Sequence, residues 1–323
     1  MRYGIIGTGW IAESFIEGAR KIADADIAAV YSRTAEKGSE FAEKNKIEKV
    51  YTSLEEFSKG DFEAVYIASP NRLHYSQSKA MLEAGKHVIC EKPITVEPEE
   101  LEELQQLAAE RHLIYMEAIM YMHNSGREIF RDAINKIGKI SSAHFDFSQL
   151  SSKYPAYKSG SLPNIFNPKL ATGCLMDLGV YCVYPAVDIW GMPDKLTAAA
   201  SFMESGADGS GAASLVYDDK VITFTYSKLG QDYSGSAVFG DEGTVTVESI
   251  SKMTFINQYD KSGDKQELLG DVEKYVLMGN EAKEFEMFIA DPGSEKYALS
   301  SKTALHVSRL MKQIRTIAGI EFE

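Results

Sequence analysis

A lysine at the end of an apolar segment is the first residue that could take part in catalysis. In HVICEKP, residues 87–93, a short apolar stretch is followed by Glu91, Lys92 and Pro93. Because proline restricts the preceding residue to extended conformations, we expect Lys92 to lie just beyond the carboxyl end of a strand. Ligands bind at such strand ends in open parallel sheets. An amine there can exchange a proton with a hydroxyl or carbonyl oxygen if burial and nearby positive charge lower its pKa.

A glycine-rich loop near the start of the chain indicates a cofactor site. GIIGTGWIA places Gly7, Gly9 and Ala12 in the pattern G-x-G-x-x-A, between an apolar run and a segment with helical periodicity. In this context the pattern is typical of dinucleotide binding, because the glycines let a pyrophosphate approach the backbone and the first helical turn. The alternative is a glycine-rich turn without a ligand. The predicted contacts to the cofactor are Gly7, Thr8, Gly9, Trp10 and Ile11.

The residues after the second predicted strand favour one cofactor over another. An acidic residue that binds the ribose hydroxyls of NAD is usual at this position. This chain has Tyr31, Ser32, Arg33 and Thr34 there, and no carboxylate before Glu36. A guanidinium and two hydroxyls suit the additional phosphate of NADP(H). The sequence therefore predicts NADP(H), with NAD(H) as the alternative if Arg33 is only solvated or stacks on adenine.

A second group of polar residues lies in FNPKLATGCLMDLGVYCVYPAVDIWG, residues 166–191. Asp177 and Tyr181 are four positions apart, so a helix would place them on one face, with Asp188 close to it. A carboxylate there could accept hydrogen bonds from substrate hydroxyls. A tyrosine could exchange a proton if Lys92 lowers its pKa. The alternative is a buried Asp–Tyr pair with only a structural role.

The order of predicted elements divides the chain in two. Strands and helices alternate up to about residue 117, which predicts a doubly wound parallel sheet with helices on both faces. Later segments alternate apolar and polar residues and are joined by short turns at YDDK and FGDEGT, which predicts an open, mostly antiparallel sheet. We therefore expect an α/β chain with a dinucleotide-binding domain at 1–120 and an α+β domain at 121–323. Its C-terminal helix is a candidate to pack back on the first domain.

The composition excludes several classes of function. A net charge of −13 disfavours binding to nucleic acid or to anionic membranes. No apolar run is long enough to span a bilayer, and the N-terminus lacks the pattern of a secretory signal. Three cysteines without a CxxC pair suit a reducing compartment, and the six histidines show no metal-ligand spacing. We expect a cytoplasmic protein without a metal.

Three motifs together resemble those of a known family. The G-x-G-x-x-A loop, SPNRLH at residues 69–74 and CEKP at residues 90–93 are similar to motifs of the Gfo/Idh/MocA oxidoreductases. The resemblance covers nearly the whole chain and is strongest in residues 1–120 and 166–191. It implies a Rossmann domain and a second domain whose open sheet mediates homodimers or homotetramers.

The resemblance also implies roles for individual residues of the first domain. Lys92 matches the catalytic or substrate-binding lysine of the family, and Glu91 matches a glutamate that contacts the cofactor. The segment that lines the adenosine and nicotinamide ribose region corresponds to Ser69, Pro70, Asn71 and His74. Two alternatives remain, since His74 could be a packing or helix-cap residue and Asn71 could cap the next helix.

In the second domain, the resemblance implies that Asp177 and Tyr181 approach the substrate beside Lys92. The tyrosine at this position resembles the dihydrodiol dehydrogenase branch. Two departures concern the substrate: Ala171-Thr172-Gly173 replaces a more glycine-rich sequence, and Asn164 stands where an arginine is common.

The expected reaction is hydride transfer between nicotinamide and a sugar, polyol, dihydrodiol or dicarbonyl compound, with Lys92 as proton shuttle. One alternative is a non-catalytic NADP-binding sensor or structural subunit. Another is a different reaction on the same scaffold, such as NAD-retaining glycoside hydrolysis or biliverdin-type reduction.

Overall fold

The computed structural model describes residues 1–322, which form two compact units. The first unit contains Met1–Ile119 and Glu273–Leu305, and the second contains Met120–Val272 and residues 306–322. The sequence-based division places the boundary after residue 120, with the C-terminal helix as a candidate to pack back on the first domain. In the structure, the segment Glu273–Leu305 belongs to the first unit. Residues 1–322 contain no helix that is long and apolar enough to cross a membrane.

The first unit is built on a parallel sheet of six strands in the order β3-β2-β1-β4-β5-β6. The strands are β1 (Arg2–Ile6), β2 (Asp26–Tyr31), β3 (Lys49–Tyr51), β4 (Ala64–Ile67), β5 (His87–Glu91) and β6 (Tyr115–Ala118). The helices that connect them are α1 (Trp10–Ile22), α2 (Ala35–Asn45), α3 (Leu54–Ser58), α4 (His74–Glu83) and α5 (Pro98–Glu110).

The strands of this sheet are apolar on both faces because helices cover both faces. Val65 and Ile67 of β4 and Val88 and Cys90 of β5 all belong to one buried cluster. The predicted doubly wound parallel sheet is confirmed.

The second unit is built on a sheet of eight strands in the order β14-β13-β12-β11-β7-β10-β9-β8. The strands are β7 (Ile140–Ser148), β8 (Lys195–Phe202), β9 (Asp208–Val216), β10 (Val221–Ser227), β11 (Ser236–Gly240), β12 (Gly243–Ser249), β13 (Thr254–Asp260) and β14 (Lys265–Leu269). The helices of its first segment are α6 (Ser125–Ile134), α7 (Tyr154–Lys158) and α8 (Val180–Trp190).

All neighbouring strands of this sheet are antiparallel except β7 and β10, which are parallel. The two predicted turns join β9 to β10 at residues 217–220 and β11 to β12 at residues 241–242. The expected open, mostly antiparallel sheet is therefore confirmed. The parallel pair arises because a long connection through α7, α8 and the β8–β9 hairpin separates β7 from β10.

Two further helices, α9 (Lys274–Ala290) and α10 (Glu295–Ala318), complete the chain. Helix α9 packs on α1 where both have a glycine, and the backbones approach closely there. A Cβ on Gly18 would lie 2.6 Å from the backbone nitrogen of Gly279, so neither position accepts a side chain without displacement. The first residue of α9 is Lys274.

Candidate active site

The glycine loop between β1 and α1 has the geometry that a dinucleotide requires. Gly7 has φ +114, and a Cβ there would lie 2.5 Å from the carbonyl oxygen of Ala68, so the position requires glycine. A Cβ at Gly9 would meet no atom within 4 Å, which leaves the backbone accessible to a ligand. Ala12 is fully buried, as close packing of the helix requires. The loop therefore fits a pyrophosphate at the N-terminus of α1.

A cation lies beside this loop, on a residue that sequence reasoning missed. The Trp10 side chain is 68% exposed, and the Lys274 amine lies 3.7 Å from the centroid of its ring. This is cation–π geometry. Lys274 is far from the loop in sequence and belongs to no local motif, so only the packing of α9 on α1 reveals the contact. It adds positive charge where an anionic cofactor is expected.

The end of β2 presents the residues that were predicted to select NADP(H). Ser32 is buried and its hydroxyl accepts a hydrogen bond from the Thr34 N–H at 3.5 Å. Arg33 and Thr34 are exposed, and so is Glu36, the first carboxylate after the strand. The Arg33 guanidinium is therefore accessible to a phosphate at the edge of the sheet.

His74 connects the loops that follow β4 and β5. The ring is buried, with Nδ1 2.9 Å from the Pro93 carbonyl oxygen and Nε2 2.8 Å from the Ser69 carbonyl oxygen. Burial lowers the pKa of His74, and the two carbonyls only partly offset this. The Lys92–Pro93 peptide bond, next to this contact, is cis. Since main-chain groups occupy both ring nitrogens, the structure favours the packing role for His74.

Ser69, Pro70 and Asn71 form the start of this connection. All three are partly exposed, and the Ser69 hydroxyl donates to Oε1 of Gln77 at 2.6 Å. Asn71 begins the 3-10 turn Asn71–Leu73 that leads into α4. The segment thus lies after β4, at the same edge of the sheet as the glycine loop.

Glu91 lies on the interior side of the lysine. Its carboxyl group accepts hydrogen bonds from the Tyr66 hydroxyl and, at 3.3 Å, from the main-chain N–H of Lys92. Burial raises the pKa of Glu91, although the Lys92 charge and the Tyr66 hydroxyl lower it. Lys92 itself is partly exposed just after β5. The end of β5 thus directs the glutamate inward and leaves the lysine at the surface.

In the second unit, Asp177 and Tyr181 belong to two consecutive helical segments of different type. Asp177 belongs to a π-helical turn, Leu175–Gly179, and Tyr181 to α8 directly after it. Such turns are frequently found at functional sites. The Asp177 side chain is 38% exposed. Tyr181 is buried, with its ring edge-on to Phe147 at 5.4 Å between centroids.

Asp177 has a basic partner that the sequence did not indicate. Lys228, directly after β10, forms an ion pair and hydrogen bond with Oδ2 of Asp177. The lysine side chain is only 3% exposed and its amine lies 5.9 Å from the centroid of the Phe166 ring. The two residues are 51 positions apart. No local pattern marks Lys228, because it follows an ordinary alternating strand.

The segment before Asp177, which contains one departure from the family pattern, is held by Asp208. Oδ2 of Asp208 accepts a hydrogen bond from the Leu175 N–H at 2.7 Å. A Cβ at Gly173 would lie 1.9 Å from Oδ1 of Asp208, so glycine is required there. Ala171 instead occupies a left-handed conformation, with φ 53, that usually favours glycine.

Asp188 does not pair with Lys228; its partners are other residues of the second unit. Its buried carboxylate receives hydrogen bonds from Arg127 at 2.6 and 2.9 Å and from the Tyr121 hydroxyl at 2.8 Å. Burial raises the pKa of Asp188, but the Arg127 guanidinium and the other donors outweigh it, and the pKa is lowered. Asp188 is thus a structural ion-pair partner.

Comparison with known proteins agrees with this geometry. Residues 1–119 match the model of an oxidoreductase family with an NAD-binding Rossmann fold, and residues 131–246 match the GFO/IDH/MocA C-terminal domain. The scyllo-inositol 2-dehydrogenase (NADP(+)) IolU of Bacillus subtilis is 34% identical over 323 residues, covering 100% of this chain and 98% of its own. The trans-1,2-dihydrobenzene-1,2-diol dehydrogenase of Mus musculus is 30% identical over 258 residues, covering 77% and 75%.

Solved structures show the same fold. The 3-ketoreductase KijD10 of Actinomadura kijaniata, in complex with TDP-benzene and NADP, has a TM-score of 0.83 at 21% identity and covers 98% of both chains. The family expected from the motifs is confirmed, and dihydrodiol dehydrogenases are among the relatives. The chain belongs to the Gfo/Idh/MocA family of NAD(P)-dependent oxidoreductases.

Proposed function

We propose that the protein is an NADP(H)-preferring dehydrogenase or reductase that interconverts a hydroxyl and a carbonyl group on a sugar, polyol, dihydrodiol or dicarbonyl compound. The observation that carries the proposal is the position of Lys92. It follows β5, and the glycine loop follows β1, with only β4 between the two strands in a parallel sheet. Since neighbouring strands lie about 5 Å apart, the two strand ends are about 10 Å apart.

The chain's own residues would bind, orient and exchange protons. Bound nicotinamide supplies the hydride chemistry. Gly7, Gly9 and the N-terminus of α1 would hold its pyrophosphate. Lys92 would donate a proton to the substrate oxygen during reduction and accept one during oxidation. In the second unit, Asp177 and Tyr181 would bind substrate hydroxyls.

Replacement of Lys92 tests the catalytic assignment. Lys92→Ala should lower kcat at least 100-fold and leave the Kd for NADPH within a few-fold of wild type, since the glycine loop is unchanged. Lys92→Arg keeps the positive charge but cannot release a proton near neutral pH, so it should be comparably slow. Stopped-flow turnover and NADPH fluorescence titration measure the two quantities. Turnover that survives Lys92→Ala would exclude Lys92 as the proton shuttle.

The preference for NADP(H) is supported by the exposed Arg33 and the lack of a carboxylate directly after β2. One relative is named as an NADP(+) enzyme and the KijD10 structure contains NADP. Arg33→Ala should lower the ratio of kcat/KM for NADPH to that for NADH at least 10-fold, because a charge-assisted phosphate contact is lost. Lys44→Ala, which removes an exposed cation at the other end of α2, is the control. An unchanged ratio in Arg33→Ala would contradict the proposal.

A turnover assay distinguishes the proposed enzyme from the alternative, a non-catalytic sensor. Sugars, polyols, dihydrodiols and dicarbonyls are screened for a change in NADPH absorbance. A pure binding protein would bind NADPH without turnover of any class of compound.

The open sheet of the second unit exposes Phe202, Val221 and Phe239 on three strands. We propose that this sheet forms homodimers or homotetramers. Light scattering that shows a monomer would contradict that assembly.

A further inference from the structure

We infer that Lys228 is a positioning residue of the active site, which fixes the Asp177 carboxylate for substrate binding. The inference rests on the proposed function, in which Asp177 binds substrate hydroxyls. It concerns a residue outside the motifs that resemble those of the family, and it starts from the ion pair between the two side chains.

The main chain of Lys228 is fixed on both sides by hydrogen bonds. Its N–H donates to the Gly209 carbonyl oxygen and its own carbonyl accepts from the Ser151 N–H, both at 2.9 Å. The backbone that carries the Lys228 amine is therefore fixed at the end of β10. Since Asp177 lies on a π-helical turn held by Asp208, both partners have supported backbones.

The two side chains of the Lys228–Asp177 pair differ in exposure, so one partner is buried and the other faces solvent. The lysine is 3% exposed, whereas the aspartate is 38% exposed. The cation thus lies on the inner side and the carboxylate lies on the outer side, where a polar ligand can reach it. In the surface pair of Lys261 and Glu242, by contrast, both partners are more than half exposed.

A buried ammonium is costly unless it is paired, so a lysine at this position requires an explanation beyond packing. Its amine lies 5.9 Å from the centroid of the Phe166 ring, next to an apolar surface. The amine holds one carboxylate oxygen, Oδ2 of Asp177. A carboxylate held at one oxygen keeps its orientation, which lowers the cost of ordering it around a hydroxyl-bearing substrate.

The test combines single and double substitutions with scyllo-inositol and trans-1,2-dihydrobenzene-1,2-diol as substrates. Lys228→Met should lower kcat/KM at least 10-fold, mainly through KM, and leave the Kd for NADPH within 2-fold. Lys228→Arg should restore most of the loss. Because Lys228 acts through Asp177, adding Lys228→Met to Asp177→Asn should cause no further loss. The matched control is Lys220→Met, at the other end of β10, where the lysine pairs with Asp219; its kcat/KM should stay within 2-fold of wild type.

A second measurement does not depend on turnover. Crystal structures of wild-type and Lys228→Met protein should differ in the Asp177 side chain, which is expected to lose its single orientation. An unchanged Asp177 carboxylate, or losses that multiply in the double variant, would overturn the inference. If Asp177→Asn lowers kcat/KM but Lys228→Met does not, only the role of Lys228 is wrong. If Asp177→Asn keeps full activity, the proposed substrate role of Asp177 is wrong, and the role of Lys228 with it.

Discussion

Two buried glutamates of the first unit, Glu91 and Glu281, and a buried aspartate of the second unit, Asp188, are held in opposite ways. In the first unit, burial raises the pKa of both Glu91 and Glu281. Glu91 bonds to a hydroxyl and a main-chain N–H, and Oε2 of Glu281 has no hydrogen-bond partner within residues 1–322. In the second unit, the buried Asp188 carboxylate contacts Arg127, and the pKa of Asp188 is lowered.

The difference shows that the partner, and not burial alone, decides the charge of a carboxyl group. Burial is the largest influence on both Glu281 and Asp188, and it acts in the same direction on both. Only Asp188 receives direct hydrogen bonds from a guanidinium, and these reverse the result. Lys274 lowers the pKa of Glu281 but does not outweigh burial.

The largest expected effect comes from breaking the Arg127–Asp188 pair. Arg127→Met leaves the buried Asp188 carboxylate with a single well-aligned neutral donor, Tyr121, besides the more exposed Arg131. Removing one partner of a buried pair costs about 3–5 kcal/mol, so the free energy of unfolding should fall by about that amount. Urea unfolding followed by circular dichroism measures it.

The surface pair of Lys261 and Glu242 provides the control for this experiment. Both of its side chains are largely exposed, so Lys261→Met should leave the urea midpoint unchanged. Similar losses in Arg127→Met and Lys261→Met would show that burial of the pair does not determine its contribution.

A second, smaller effect has the opposite sign and concerns Glu281. Its folded-state pKa is raised, so its contribution to stability is full below the unfolded pKa and is lost as pH rises through the folded value. Glutamine imitates the neutral form at every pH. Glu281→Gln should therefore stabilise the protein at pH 8, because glutamine has no charged form to favour the unfolded chain. Below about pH 4 the difference should disappear.

Glu284, three residues along the same helix, is the matched control. It is also buried, but it pairs with Lys296. Glu284→Gln removes one charge of this pair and should destabilise the protein at pH 8. Thermal unfolding of both variants at pH 8 and pH 4 compares them. If both changes shift Tm in the same direction at pH 8, the presence of a basic partner is not what separates the two glutamates.

The sequence predicts the local features of the site better than its long-range contacts, for a physical reason. The glycine loop and Lys92 are local signals, since a few adjacent residues determine the turn, the strand end and the extended backbone before proline. Lys228 and Lys274 act through contacts with residues 51 and 264 positions away in the chain. A single sequence carries no pattern for such contacts, because they depend on how strands and helices pack.

The helical register around Asp177 shows the same limit. A spacing of four predicts a shared face of one α-helix, but Asp177 lies on a π-helical turn and only Tyr181 lies on α8. The turn depends on Asp208, a distant carboxylate that accepts the Leu175 N–H. Likewise, the parallel pairing of β7 and β10 follows from a long connection, which local turn signals cannot reveal.

The smallest predicted effect extends the comparison to a buried base. His74 has no carboxylate partner among its two ring contacts, both of which are main-chain carbonyls. Its folded-state pKa is lowered, so its contribution to stability is present above the unfolded pKa, about 6.5, and is lost as pH falls through the folded value. Wild type should therefore lose more stability than His74→Gln between pH 7 and pH 5. The difference between the two proteins isolates this residue, since Glu91 and Glu281 titrate in both. Urea unfolding at pH 7, 6 and 5 measures it, and parallel pH profiles would show that the His74 ring remains protonated between the two carbonyls.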